Sequence, residues 1–213
     1  MQIWERAKLR RTAIRFAAHG WHVVPGAYLV GGRTGRHAKE RRFECGDLGC
    51  PTITCHPIVT GWTNLASTDP DRVANWWRER PYSVLLATGH AFDVLEVPAG
   101  LGRAAVLGDG HVAATGPVAV TPSGRWMFMV QPGHGVLPEL SRHQDVLLHG
   151  IGSWVPAAPS PHFGGRVRWE IGPERNGWRP AEPYVIQNLM LDAIGAAAKA
   201  LHRPGWRPVT WAA

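Results

Sequence analysis

From Ser83 to Glu170 the chain offers a succession of short apolar stretches: Ser83 to Ala87, Phe92 to Val97, Pro117 to Thr121, Trp126 to Val130, Asp145 to Leu148, Ser153 to Pro156 and Arg166 to Glu170. Gly and Pro punctuate each gap, so these stretches read as strands rather than helices. Helical patterns sit at either end. Between Trp4 and His19, Leu9, Ala13, Phe16 and Ala17 recur at helical spacing, and Gly20 supplies a stop. Trp21 to Pro25 reads as a short buried strand. Thr68-Asp-Pro-Asp71 opens a second helix, with Thr68 as cap, Asp71 completing the box and Pro70 in the first turn. Val73, Trp76 and Trp77 form its buried face and Pro81 ends it. A last helix runs from about Pro183 to 202, with Ile186, Leu189, Met190, Ala193, Ile194, Ala197 and Leu201 on its apolar side. The pattern predicts an α+β fold: one mixed domain over 1–213, with a central sheet flanked by helices.

Length and composition agree. The 213 residues suit one domain, and 45% apolar with 18% charged residues excludes a disordered chain. No apolar run reaches the length of a membrane span. Charge enters the N-terminal helical pattern at once, unlike a secretory signal, so the expected location is the cytoplasm. Lys and Arg outnumber Asp and Glu by 23 to 16, a net charge of +7. That balance suits a polyanionic partner, DNA above all, because neutralised phosphates release counterions. The basic stretch with Arg33, Arg36, Lys39, Arg41 and Arg42 reads as a solvated or phosphate-contacting loop. The eleven Trp are core or groove anchors, with base stacking as an alternative use. No helicase-type phosphate loop occurs, so any unwinding partner is expected to be a separate helicase or replication protein.

All three cysteines fall in Cys45-Gly-Asp-Leu-Gly-Cys50-Pro-Thr-Ile-Thr-Cys55-His56, an insertion at 43–57. Thiolate and imidazole are the ligands that structural zinc prefers. Cys45, Cys50, Cys55 and His56 are therefore the candidate zinc set, with reduced free thiols as the alternative. Adjacent Cys55 and His56 would need strain to share one ion.

The order of segments resembles the N-terminal domain of bifunctional DNA primase/polymerases, in the archaeo-eukaryotic primase superfamily. The resemblance covers about 13–170. It is carried by Ala17-Ala-His-Gly-Trp-His-Val-Val-Pro25, by Ser67-Thr-Asp-Pro-Asp-Arg-Val-Ala-Asn-Trp-Trp77, by Tyr82-Ser-Val-Leu-Leu-Ala-Thr-Gly89, by Thr121-Pro-Ser-Gly-Arg-Trp-Met-Phe128 and by Gly152-Ser-Trp-Val-Pro-Ala-Ala-Pro-Ser160. It implies an RRM-like primase core, nucleotide and DNA binding, and nucleotidyl transfer with two Mg²⁺ or Mn²⁺ ions. Bridging carboxylates must hold those ions about 4 Å apart.

The implied acid pair falls on Glu96 and Pro98, and Pro98 cannot bind a cation. Asp93 is a possible substitute, yet it lies three residues from Glu96 and faces the other side of a regular strand unless a bulge intervenes. Asp145 is the match to the third acid, and His149 shares its side of the strand. The resemblance puts a His at Trp126; Arg125, after the Ser123-Gly124 turn, would suit a triphosphate, as would Arg103. These departures imply a degenerate site that binds nucleotide or DNA. An active polymerase and a non-enzymatic partner-binding protein are the alternatives.

Overall fold

The computed structural model of the chain describes residues 2–31, 41–107 and 115–201. Arg33, Arg36 and Lys39 of the basic loop lie outside them.

Helix α1 spans Gln2–Ala18 and turns Leu9, Ala13, Phe16 and Ala17 inward, as their spacing predicts. The chain leaves it at Gly20, whose φ of 78° is a left-handed value that glycine adopts without strain. Strand β1 (Val23–Gly26) follows, then a small hairpin of β2 (Tyr28–Val30) and β3 (Arg42–Glu44), and the short α2 (Trp62–Leu65). Helix α3 covers Pro70–Trp76. Its cap is Asp69, not Thr68: the Asp69 carboxylate accepts from the backbone N–H of Asp71 and Arg72. With Pro70 at the first helical position the cap must be the residue before it, and Ser67 Oγ in turn accepts from Asp69 N.

Two antiparallel sheets form the body. One has the order β1-β4-β9, where β4 is Ser83–Ala87 and β9 is Trp154–Pro156. The other is five-stranded, in the order β12-β6-β7-β5-β8. Its strands are β5 (Asp93–Pro98), β6 (Val118–Val120), β7 (Arg125–Val130), β8 (Leu147–His149) and β12 (Arg168–Ile171). A two-stranded ribbon of β10 (Pro161–His162) and β11 (Gly165–Arg166) stands beside them.

The side-chain alternation of β7 explains the layering. Met127 and Met129 point to one core, shared with Trp21, Phe92, Val94, α1, α3 and the three-stranded sheet. Trp126, Phe128 and Val130 point to a second core under α4 (Ala99–Leu107) and α6 (Pro183–Leu201). The sheet is thus covered on both faces, and its central strand reads as an unbroken apolar run. Helix α4 approaches very closely: a Cβ at Gly102 would lie 2.5 Å from Trp126. The glycines at 100 and 102 weaken the helical pattern here, which is why this helix is not evident from the sequence. Helix α5 (Pro138–Ser141) buries Leu140 in the same core. Among the described residues, no helix is long and apolar enough to cross a membrane.

Candidate functional site

Strand β5 pairs with β7 on one side and β8 on the other. Glu96 stands opposite Met127 and Leu147, and Pro98 stands opposite Arg125. Glu96 and Pro98 share a face by alternation, and Arg125, Leu147 and His149 project from the neighbouring strands to that same face. Pro98 has no N–H to donate and is the last residue of the strand; α4 begins at Ala99.

Both oxygens of Glu96 are engaged by cationic or imidazole groups. Arg125 Nε donates to Oε1 at 2.7 Å, and His149 Nε2 lies 2.8 Å from Oε2. The side chains are 17%, 24% and 22% exposed for Glu96, Arg125 and His149, so water competes weakly for these bonds. Burial pushes the Glu96 carboxyl up, but the hydrogen bonds from His149 and Arg125, and their charges, outweigh it and hold the group below its usual range. His149 Nδ1 sits 3.1 Å from Ser153 Oγ, extending the chain of polar contacts to the start of β9. Arg125 also donates from one terminal nitrogen to the backbone carbonyl of Asp145 at 2.7 Å.

The remaining candidates fall elsewhere. Asp93 is buried at 3% exposure, and its Oδ2 accepts from Gly133 N at 2.9 Å. No bulge intervenes between Asp93 and Glu96 in the register with β7, so Asp93 keeps to the opposite face. Asp145 is exposed in the turn before β8, and the β8 residue paired with Glu96 is Leu147. Asp145 and Pro98 line one depression at this end of the sheet. Trp126, where the resemblance puts a His, is 4% exposed and packs under Gly102 on the far face. The residue that faces Glu96 is its neighbour Arg125. Ser123 and Gly124 build the β6–β7 turn: Ser123 Oγ lies 2.8 Å from Thr121 Oγ1, and Gly124 has a φ of 82°. Arg103 is exposed on α4, the helix that covers the Trp126 face. His149 and Leu147 were the residues whose place was least evident from sequence; the alternation of β8 is the signal that locates them, once its register against β5 is known.

The cysteine loop forms a second constellation. Cys45 Sγ, Cys50 Sγ and one atom of the His56 ring lie within 4.8 Å of one another, the sole such ligand group among the described residues. Cys50 Sγ and His56 Nε2 are 3.5 Å apart, and His56 Nδ1 is 2.7 Å from the Thr54 carbonyl, which fixes the ring. Cys55 does not belong to the group. Its thiol turns back to the Ala27 carbonyl at 3.7 Å, and burial pushes it up to about 11, against smaller opposing hydrogen bonds from Ser83 and His56. Adjacent residues in this extended segment point apart, so Cys55 and His56 cannot both face one ion.

Comparison with known proteins bears on both constellations. No curated protein matches the chain. The family model Prim-Pol, described as bifunctional DNA primase/polymerase, N-terminal, matches residues 13–183, from the middle of α1 to the first residue of α6. The match takes in the five-stranded sheet, the Glu96 face and the cysteine loop alike. The chain therefore belongs to the bifunctional DNA primase/polymerase N-terminal family.

Proposed function

We propose that this domain binds nucleotides and DNA without performing two-metal nucleotidyl transfer. The observation that carries the reading is the engagement of Glu96: Arg125 and His149 each hydrogen-bond to one of its two oxygens, and Pro98 stands where the second acid of the pair would be needed. A two-metal centre requires carboxylates bridging cations about 4 Å apart. One carboxylate already neutralised by a guanidinium does not fit that requirement, because an incoming Mg²⁺ or Mn²⁺ would meet the Arg125 charge first. The family fold supports nucleotide and nucleic-acid contact, and the net charge of +7 favours the same partners.

Primer extension with Mn²⁺ and labelled nucleotides, beside Glu96→Ala and Asp145→Ala controls, tests this. The expected result is no incorporation, together with DNA binding that weakens as salt rises. Incorporation that both substitutions abolish would overturn the reading in favour of an active polymerase. Neither incorporation nor binding would point to a partner-binding protein.

The cysteine loop fits a structural zinc ion held by Cys45, Cys50 and His56, which offer three donors of the types zinc takes and leave the fourth tetrahedral position to another ligand. Zinc here would supply a cross-link pinning the insertion ahead of α2, and Cys55 stays outside it.

A further inference from the structure

Helix α1 carries Arg6, Lys8, Arg10, Arg11 and Arg15 against a single acid, Glu5, which is tied to Arg166 at 2.7 Å. Arg15 is paired with Glu174. Ile3, Arg6, Arg10 and Arg11 fall at helical spacing on one face, and with Trp77 and Arg78 they line a depression of about 430 Å³ beside the end of α3. A second depression shares Ile3 and Arg6 and continues to Arg80 and Tyr28. The two make one trough.

The guanidinium groups in it are held for contact. Arg6 donates from one nitrogen to the Arg78 and Glu79 carbonyls, and Arg10 donates through Nε to the Ala74 carbonyl. These bonds satisfy carbonyls at and beyond the end of α3 and fix both side chains, while their other N–H groups remain to donate. Arg80 lies over the Tyr28 ring, 5.9 Å from its centroid. Among the described residues, no carboxylate pairs with Arg6, Arg10, Arg11, Arg78 or Arg80, and Glu79 is the one acid on the trough wall. Trp4, at 80% exposure, and Ile3, at 72%, stand unburied at the start of the same helix.

We infer that the α1–α3 trough is a docking surface for single-stranded nucleic acid, separate in its elements from the Glu96 site on β5, β7 and β8. Unpaired, pre-oriented arginines match a phosphate backbone, and an open indole beside them matches an unstacked base. The inference rests on the nucleic-acid reading above and gives that reading a second surface. Paired bases would not reach Trp4, so single strands bind more tightly than duplex.

Fluorescence anisotropy of a labelled single-stranded oligonucleotide across a salt series tests the assignment in the full chain. The variant is Arg11→Gln with Arg78→Gln, both exposed side chains, with the corresponding Lys double variant as control and circular dichroism to check the fold. Loss of two phosphate contacts makes the slope of log affinity against log salt shallower by about 1.4. The Lys variant keeps it. Trp4→Ala costs roughly tenfold on single strands, and little on duplex. If the Gln variant binds like the parent while Arg125→Gln loses binding, the trough is the wrong surface and the proposed function stands. If the parent binds no oligonucleotide, both fall. Equal, competing binding of anionic phospholipid vesicles would replace the assigned occupant.

Discussion

At the scale of single residues, the ionisation of Glu96 is set by burial, which opposes the charge, and by Arg125 and His149, which favour it and prevail. A carboxyl held below its unfolded value stabilises the fold above the unfolded range, and that contribution disappears as pH falls through the folded value. Urea unfolding followed between about pH 5 and pH 3 should therefore show a loss of stability that Glu96→Gln lacks in that window. At neutral pH the same substitution should cost about 2 kcal/mol, since it removes charge from two hydrogen bonds. Asp93 supplies the contrasting case. Asp93→Ala removes the buried carboxylate that accepts from Gly133 N and should cost about 1–3 kcal/mol of stability, read by denaturant titration, while leaving DNA affinity unchanged. The sequence discloses Glu96 and the Pro98 that shares its face, because alternation along one strand suffices. It does not disclose that Arg125 rather than Trp126 faces Glu96. That depends on register between strands far apart in the chain, where one residue of slip reverses every side chain.

At the scale of elements, α4 is fixed by the contact of Gly102 with Trp126. Gly102→Val should destabilise the domain by about 1–3 kcal/mol through overpacking, and Trp126→Leu should recover part of that loss in a double-mutant cycle. The cysteine loop gives a second expectation. Metal analysis should find about one zinc per chain, lost in Cys45→Ser and Cys50→Ser but kept in Cys55→Ser. Long periodic elements are legible from sequence: α1, α6 and the apolar run of β7 lie within a few residues of their expected places. The elements that are not legible are short or glycine-bearing, namely α2, α4, α5 and the β2–β3 hairpin. Packing against the sheet, not local preference, makes them.

At the scale of the molecule, the core around Trp21 joins α1, α3 and both sheets, and the second core under α4 and α6 backs onto the same five-stranded sheet, which couples the two. Trp21 stacks on Phe16 at 5.5 Å and meets Phe92 edge-on at 4.7 Å. Trp21→Ala should cost about 3–5 kcal/mol, and thermal unfolding followed by tryptophan fluorescence and by far-ultraviolet dichroism should still give one coincident transition.

Strand β5 ends in an imino acid, and an acidic side chain installed there would meet a guanidinium before it met a metal ion. Placing Asp at 98 would add an anion within reach of Arg125, which would clasp it as it clasps Glu96. An acid at 98 would thus be drawn into the existing Arg125–Glu96 clasp, and on the proposed reading it would not by itself create a place for a cation.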